Sequence, residues 1–397
     1  MHTSKFIGSL LLLIGTMIGA GMLALPLVSA ASGIVLSGIY LFSIWAIMTV
    51  TGLLVLEVNL ALPANGCSFS SMAAKTLGKS GKIIVLISCL LLLYALTSAY
   101  IDGAASLVSS FFATFTVYKV PNFISAIIFT LIFGGAVFWS TKVTDYANRS
   151  LISIKGVLLL VSLTLLLPHI HFEFLQAKHN FAPGKLFFTI VPIFLCAFGY
   201  HTVIPSLRIY IGDKPKELRR IIILGTSIAF VVYFLWLIAT LGVVPLAQMH
   251  GSVGDFIQVI AYLVHNKWVT IGINGFSNIA MTTSFLGVTL GLFDFLADGL
   301  KRPNTRFGRT QTALFTFLPP LIFVFYFPQG FVMALKYGAI FVTIITVILP
   351  ALMAYQLRKQ ADLPSSYRVA GGNLLPLGIL VIGCVLILLQ VIGGIVD

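Results

Sequence analysis

The chain has 397 residues, of which 59% are hydrophobic and only 9% are charged. Soluble domains carry about 25% charged residues, so this chain has too few charges to cover a surface that faces water. The composition excludes a water-soluble enzyme and indicates a membrane protein. The net charge of +13 would also suit a nucleic-acid-binding protein, and the distribution of the basic residues decides between these two interpretations.

Apolar runs of about 20 residues recur along the whole sequence, and each is long enough to cross a hydrocarbon layer of roughly 30 Å. Such runs must be helical, because lipid offers no partner for open backbone N–H and C=O groups. The runs are continuous, whereas the strands of an outer-membrane barrel alternate between apolar and polar residues. The sequence therefore predicts an all-α membrane protein with eleven transmembrane helices, at residues 6–31, 34–61, 81–112, 121–139, 150–168, 186–211, 220–247, 269–299, 310–327, 331–356 and 373–395.

The basic residues are concentrated in alternate predicted loops. If the N-terminus is cytoplasmic, the loops on that side hold Lys75, Lys79, Lys82, Lys142, Arg149, Lys214, Lys216, Arg219, Arg220, Lys301, Arg302, Arg306, Arg309, Arg358, Lys359 and Arg368. The opposite loops hold only Lys119, Lys178, Lys185 and Lys267. Because an excess of Lys and Arg marks the cytoplasmic side, we expect a cytoplasmic N-terminus and a C-terminus on the opposite side. The surplus charge then sets orientation, and we expect no nucleic-acid partner.

Two predicted helices differ from the others, because glycines precede a proline near the middle of each span. The first contains Gly15-Thr-Met-Ile-Gly-Ala-Gly-Met-Leu-Ala-Leu-Pro26, and the sixth contains Phe194-Leu-Cys-Ala-Phe-Gly-Tyr-His-Thr-Val-Ile-Pro205. Aligning the two prolines, 179 residues apart, pairs helices one to five with helices six to ten in opposite orientation. We therefore predict one transmembrane domain over residues 1–397, with inverted repeats at about 6–168 and 186–356 and an extra helix at 373–395.

Glycine and proline together permit both helices to unwind near the middle of the membrane. Unwinding exposes backbone groups, which is tolerable only where they face a cavity or a ligand. The N-terminus of each resumed half-helix would then direct a positive dipole end at an anion such as a carboxylate. The alternative is that the Gly15-x-x-x-Gly19 spacing only permits close helix packing and that the prolines are kinks. The matching positions of the two segments favour the unwound interpretation.

Four ionisable residues within or at the ends of the spans are candidates for function, because charge inside a membrane is costly. Lys155 could place its ammonium group against the carbonyls of the unwound first helix, or it could reach the cytoplasmic headgroups. Asp102 could carry a proton, or it could be a hydrogen-bonded aspartate at a helix crossing. Glu57 could contact loop lysines, and His201 lies inside the sixth-helix break, where it could contact a substrate or be satisfied within the core.

Aromatic and hydroxyl residues near these positions could line a pocket for a substrate side chain. Phe198 and Tyr200 lie at the sixth-helix break, and Tyr94, Thr97 and Tyr100 lie on one stretch of the third helix. Such a set is a weak indication by itself, since 12% aromatic content is ordinary in a membrane bundle.

The sequence gives no indication of an enzyme, a metal site or an obligate protein partner. No H-E-x-x-H or G-x-S-x-G motif is present, and the four cysteines (Cys67, Cys89, Cys196, Cys384) show no C-x-x-C spacing. We interpret these cysteines as small core residues.

Several segments resemble the bacterial hydroxy/aromatic amino acid permeases, which form part of the amino acid–polyamine–organocation superfamily. The similar segments are 15–26, 53–58, 94–101, 165–171, 198–201, 239–242, 284–298, 317–321 and 330–335. The resemblance covers nearly the whole chain. It implies a LeuT-type fold of five plus five helices in which helices one and six are broken, a location in the bacterial inner membrane, and transport of an aromatic amino acid with tyrosine favoured.

The resemblance also implies roles for particular residues. In proton-driven members of the superfamily a lysine of the fifth helix takes the place of a sodium ion, and Lys155 matches that lysine. The ligands of that ion would correspond to the carbonyls of Gly15 and Ile18 and to the hydroxyls of Thr283 and Ser284. The main-chain groups of the substrate would meet the two breaks, at Thr16, Gly19, Ala20, Gly21, Met22, Phe198, Gly199, Tyr200 and His201.

These expectations combine into a secondary active transporter that imports an aromatic amino acid together with a proton by alternating access. The partners we expect are the amino acid and the membrane lipid, with the proton as coupling ion and no other cofactor. A sodium-coupled carrier, a carrier for tryptophan, phenylalanine or hydroxy amino acids, a membrane enzyme and a passive channel are the alternatives.

Overall fold

The computed structural model describes residues 2–64, 67–115, 120–139, 141–176, 183–249, 251–302, 305–328, 330–360 and 366–396. Every regular element in these ranges is a helix. The α-helices are α1 (His2–Met17), α2 (Gly21–Ser29), α3 (Gly33–Ala61), α4 (Phe69–Phe115), α5 (Asn122–Trp139), α6 (Thr141–Leu166), α7 (Pro183–Ala197), α8 (Ile204–Ile211), α9 (Pro215–Val243), α10 (Val253–Val264), α11 (Lys267–Gly299), α12 (Arg306–Tyr326), α13 (Phe331–Thr343), α14 (Leu349–Leu357) and α15 (Leu374–Val396). Of the loop lysines that indicated orientation, Lys119 and Lys178 lie outside the described residues.

Nine helical stretches in the described ranges are long and apolar enough to cross a membrane. The prediction of an all-α, multi-pass membrane protein is therefore confirmed. The predicted span 6–31 is divided between α1 and α2, of 16 and 9 residues. The predicted span 310–327 lies, apart from its last residue, within α12, a helix of 21 residues that also carries Arg306 and Arg309. The total of eleven crossings and the inverted repeat stay predictions.

Both helices in which the sequence predicted a break are interrupted. The first stops at Met17 and resumes at Gly21. The second stops at Ala197, passes through a 3-10 turn over His201–Val203, and resumes as α8 at Ile204. Pro205 lies in the first turn of α8, where its missing N–H removes no hydrogen bond from the helix. The sequence features that predicted the breaks thus coincide with them.

The segments of the two interrupted helices pack against each other. The half-helix α2 packs against α7, and α1 packs against α8. Helix α9 contacts both α1 and α2, while α11 packs against α4 and α6. Side chains from α9 and α11 are therefore available to bind backbone groups that the breaks expose.

Helix α4 bends sharply at Gly78, whose φ of 72° lies in the left-handed region. A side chain would be strained in that conformation, so glycine is the residue that permits the bend. The short segment before Gly78 precedes the predicted span 81–112, which explains why the apolar run starts later than the helix.

Two buried arginines hold other helices at the C-terminal end of α3. Arg358, the residue that follows α14, forms a two-bond ion pair with Glu57, through Nε–Oε1 at 2.6 Å and Nη2–Oε2 at 2.7 Å. The N–H of Val369 donates to the same carboxylate at 2.9 Å. The structure thus gives Glu57 an arginine partner that the sequence did not predict, since α14 packs against α3.

Arg208 of α8 donates to the carbonyls of Asn59 and Leu62, which are backbone acceptors at the same end of α3. Its Nε also lies 2.5 Å from the exposed carboxylate of Asp213. This hydrogen bond holds the pKa of Asp213 below its usual value. The end of α3 is thus the point at which α8 and α14 are both attached.

The Glu57–Arg358 pair gives a test of this attachment. Removing one partner of a buried pair costs about 3–5 kcal/mol, because the remaining charge stays buried and unpaired. We expect Arg358→Met to lower the thermal unfolding temperature of the purified protein in detergent, and Glu57→Gln in the same chain to restore part of the loss. The control is Lys214→Ala, since the side chains of the Lys214–Glu217 pair are 35% and 34% exposed and such surface pairs contribute little. Unfolding of Arg358→Met at the wild-type temperature would contradict the assignment.

Candidate functional site

The first break is bound by a hydroxyl of α11. The N–H of Ala20 donates to Ser284 Oγ at 3.0 Å. Gly19 faces the same atom so closely that a Cβ there would lie 2.7 Å from it. The structure thus brings together three residues that the sequence placed at the site, and Ser284 supplies an acceptor that the interrupted helix lacks.

Lys155 lies beside this contact, on α6. It is only 4% exposed, and its Nζ lies 3.5 Å from Thr283 Oγ1. The Thr283 hydroxyl donates to the carbonyl of Ala280 at 3.2 Å, so its oxygen is free to accept from the ammonium group. Adjacent residues of α11 therefore contact the lysine and the first break. The alternative in which Lys155 extends to the membrane surface does not hold, because its side chain is buried.

The charge of Lys155 has no carboxylate partner within the described residues. A buried ammonium without a counter-ion is expensive in a membrane protein. An ionisable residue of this kind marks a candidate functional site, and the proton on Lys155 is its candidate function. Gly15 of α1 approaches the same face of α6, with its side-chain position 3.9 Å from Ile152, one helical turn before Lys155.

The side chains of Tyr200 and His201 in the second break turn towards α3. The Tyr200 hydroxyl donates to the carbonyl of Met48 at 3.0 Å, and His201 Nε2 lies 2.8 Å from Thr51 Oγ1. Both side chains are buried. Gly52 permits this packing, because a Cβ at that position would overlap the Tyr200 hydroxyl. Both side chains thus anchor the start of α8 to α3, and their expected contact with a substrate stays a prediction.

A tyrosine that the sequence did not single out connects the two breaks. The Tyr233 hydroxyl of α9 lies 2.6 Å from the carbonyl oxygen of Met17 and 2.7 Å from that of Ala197. These are the last residues of α1 and α7. Its buried ring packs edge-on against Phe198, with ring centroids 5.1 Å apart. A tyrosine in an apolar span is ordinary, so nothing in the sequence marked it.

The residues predicted on α4 divide into two groups. Tyr100 is buried within the bundle. Thr97 is fully buried, and its hydroxyl has no hydrogen-bond partner within the described residues. Both are therefore candidates for contact with a substrate side chain.

The other α4 residues have structural partners. The Tyr94 hydroxyl donates to the carbonyl of Phe315 at 2.8 Å. That carbonyl lacks its helical donor, because residue 319, four positions later, is proline. Asp102 accepts from the N–H of Phe331 at 2.9 Å, at the start of α13. This bond fits the alternative of an aspartate that stabilises a helix crossing.

The predicted residues around the first break also divide by position. Ile18 and Met22 are buried at the break. Thr16 is exposed, and its hydroxyl donates back to the carbonyl of Leu12 at 2.8 Å. No described contact joins its side chain to the first break, and its expected contact with the substrate stays a prediction. Within the described residues, no group of three or more His, Cys, Asp or Glu side chains could hold a metal ion.

Comparison with known proteins identifies the family of the chain. The sequence profile of the tryptophan/tyrosine permease family matches residues 2–390. The tyrosine-specific transport system 1 of Haemophilus influenzae is 35% identical over 96% of this chain and 95% of its own length. The tyrosine-specific transport system 2 of that organism is 36% identical over 98% and 97%.

A third relative is named for a different substrate. The tryptophan-specific transport protein of Haemophilus influenzae is 34% identical over 98% of this chain and 96% of its own length. Matches of this extent include both interrupted helices, α6 and α11. The chain belongs to the tryptophan/tyrosine permease family, whose members are transport proteins rather than enzymes.

Proposed function

We propose that this protein imports an aromatic amino acid, with tyrosine preferred, together with a proton. The observation that carries the proposal is the connection from Lys155 through Thr283 and Ser284 to the first break. Through this connection, a titratable cation and a backbone N–H of the first break contact adjacent residues of α11. A substrate bound at the break and a proton on the lysine can therefore influence each other.

The two breaks offer both kinds of backbone group that a zwitterion needs. The C-terminal carbonyls of α1 and α7 carry partial negative charge and suit an ammonium group. The N-terminal end of α2, at Gly21 and Met22, carries partial positive charge and suits a carboxylate. A Cβ at Gly21 would lie only 3.6 Å from the Cα of Ala197. The N-terminal end of α2 is therefore close to the C-terminal end of α7.

We assign contact with the substrate side chain to three buried residues, Phe198, Tyr100 and Thr97. Relatives named for tyrosine and for tryptophan both support an aromatic substrate. The buried hydroxyl of Thr97, which has no partner in the described part of the chain, favours tyrosine. An unpaired buried hydroxyl costs about 1–3 kcal/mol, and the phenol group of a bound tyrosine would satisfy it.

Proton coupling is assigned to Lys155. When protonated, its ammonium group donates to Thr283 and holds α6 and α11 together beside the first break. When neutral, it loses its charge and weakens that contact, so the two states favour different arrangements of the break. A sodium-coupled carrier would have to place a metal cation beside this ammonium group, which like charges oppose.

The chain would work in the bacterial inner membrane with its N-terminus in the cytoplasm. The end of α3 with its two arginine attachments would then face the cytoplasm. The LeuT-type relation of residues 6–168 to 186–356, as inverted repeats, would allow the interrupted helices to open alternately to the two sides.

Uptake of labelled tyrosine into proteoliposomes tests the whole proposal. We expect a proton gradient directed into the vesicles to drive tyrosine accumulation equally well with and without sodium. Unlabelled tyrosine should compete better than phenylalanine or tryptophan, and serine should not compete. Accumulation that requires sodium, or that ignores the pH gradient, would reject proton coupling. Equal competition by phenylalanine would reject the role of the Thr97 hydroxyl.

Replacement of Lys155 tests the coupling residue. We expect Lys155→Ala to reduce accumulation driven by pH at least about tenfold, because the titrating charge is gone. Exchange of labelled for unlabelled tyrosine should persist, since the breaks remain. Lys336→Ala is the matched control, because Lys336 is also a lysine within a helix, α13, and should retain accumulation. Full accumulation by Lys155→Ala would remove the assigned role.

Replacement of Gly21 tests the substrate site. A Cβ at Gly21 fits against Ala197, but the additional methyl groups of valine would push α2 away from α7. We expect Gly21→Val to raise the KM for tyrosine at least about tenfold. Gly135→Val is the control, because the side-chain position of Gly135 meets no atom within 4 Å. An unchanged KM for Gly21→Val would show that the substrate does not bind between these helix ends.

A further inference from the structure

We propose that Tyr233 is a positioning residue that fixes the carbonyls of Met17 and Ala197 at the spacing required to bind the ammonium group of the substrate. The proposal rests on the proposed function, in which this ammonium group meets the C-terminal ends of α1 and α7. Tyr233 acts through these carbonyls and does not itself need to touch the substrate.

The distances define the spacing. The Tyr233 hydroxyl oxygen lies 2.6 Å from one carbonyl oxygen and 2.7 Å from the other. The two carbonyl oxygens are therefore no farther apart than the sum of these distances. A separation of this size lets one small donor group contact both oxygens, so a single ammonium group between the helices can bind them together.

The hydrogen-bond capacity of the group leaves room for a second donor. A tyrosine hydroxyl has one proton and two acceptor positions, so it donates fully to one carbonyl at a time. Each carbonyl oxygen has two lone pairs and lies at a helix C-terminus, where intrahelical donors are missing. An ammonium group carries three donors. It would supply the hydrogen bonds that the hydroxyl cannot.

The partial charges at the C-terminal ends of α1 and α7 explain why the Tyr233 hydroxyl is needed between them. Each C-terminus carries a partial negative charge, and two such ends directed at one point repel each other. The hydroxyl proton offsets this repulsion in the absence of substrate. Without it, the two half-helices would separate, and the substrate would have to bring them together at the expense of its own binding free energy.

The surroundings of Tyr233 keep its hydroxyl in place. The ring is fully buried and packs edge-on against Phe198. One turn later on α9, the buried ring of Trp236 packs against Phe276 of α11, with centroids 5.7 Å apart. Because α9 also contacts α1 and α2 directly, the hydroxyl is held by a helix that packs on both sides of the first break.

The test compares two ligands that differ only in the ammonium group. Inhibition of labelled tyrosine uptake is measured for unlabelled L-tyrosine and for 3-(4-hydroxyphenyl)propionate, in the wild type and in Tyr233→Phe. We expect Tyr233→Phe to raise the KM and the inhibition constant of tyrosine about tenfold, with Vmax within about twofold. The inhibition constant of the propionate should not change. The preference for the amino acid should therefore fall about tenfold.

The ratio of the two inhibition constants does not depend on the amount of folded protein, so a poorly expressed variant still gives a result. Should uptake be too low to measure, the same ratio is obtained from binding of labelled tyrosine to purified protein. Tyr94→Phe is the matched control, because it removes a tyrosine hydroxyl that donates to a helix carbonyl of α12 at 2.8 Å. We expect it to leave the ratio unchanged.

The outcomes separate this proposal from the one on which it rests. If the wild type prefers tyrosine and Tyr233→Phe keeps that preference, the positioning role is rejected and the ammonium site stands. A parallel rise of both inhibition constants, or an equal effect of Tyr94→Phe, would show a merely structural role. If the wild type does not distinguish the two ligands, the ammonium site itself is absent, and both proposals fail.

Discussion

The structure depends on how the backbone groups of two interrupted membrane helices are satisfied. In lipid every N–H and C=O group must be paired within the protein, and a break removes several of these pairs at once. Here the missing partners come from side chains of the neighbouring helices. Ser284 of α11 accepts from Ala20, and Tyr233 of α9 binds the carbonyls that end α1 and α7. The breaks are therefore stable only where α9 and α11 pack against them.

Under the proposed function, this dependence would let substrate binding and proton coupling share one site. Side chains that hold a break in place also sense its conformation, because their hydrogen bonds exist only while the break keeps its shape. Thr283 contacts Lys155 and Ser284 contacts the first break, so two adjacent residues of α11 link the lysine to the break. A change in the charge of the lysine and a change in the occupancy of the break thus act on the same few bonds.

The attachments at the end of α3 are of a different kind. The Glu57–Arg358 pair and the two carbonyl contacts of Arg208 are charged and buried. Hydrogen bonds to charged groups are stronger than neutral ones. Any movement that separates α8 or α14 from α3 must break several of them, whereas the breaks themselves are held by single neutral hydroxyls. The fold therefore combines neutral hydrogen bonds at the two breaks with charged hydrogen bonds at the end of α3.

The sequence by itself determined the membrane class, most of the helix positions and both interruptions. These follow from local properties: the length of apolar runs, the demand for paired backbone groups in lipid, and the glycines and prolines that weaken a helix. It also identified Lys155, because a lone charge in an apolar span is visible without any contact. Only the tertiary structure decided which side chains meet the breaks. The hydroxyls of Tyr94 and Tyr200 donate to backbone carbonyls of neighbouring helices, and that of Tyr233 contacts the carbonyls that end α1 and α7. A hydroxyl is equally satisfied by any nearby carbonyl, so its partner depends on which helices pack together, and that is not encoded in the residues beside it.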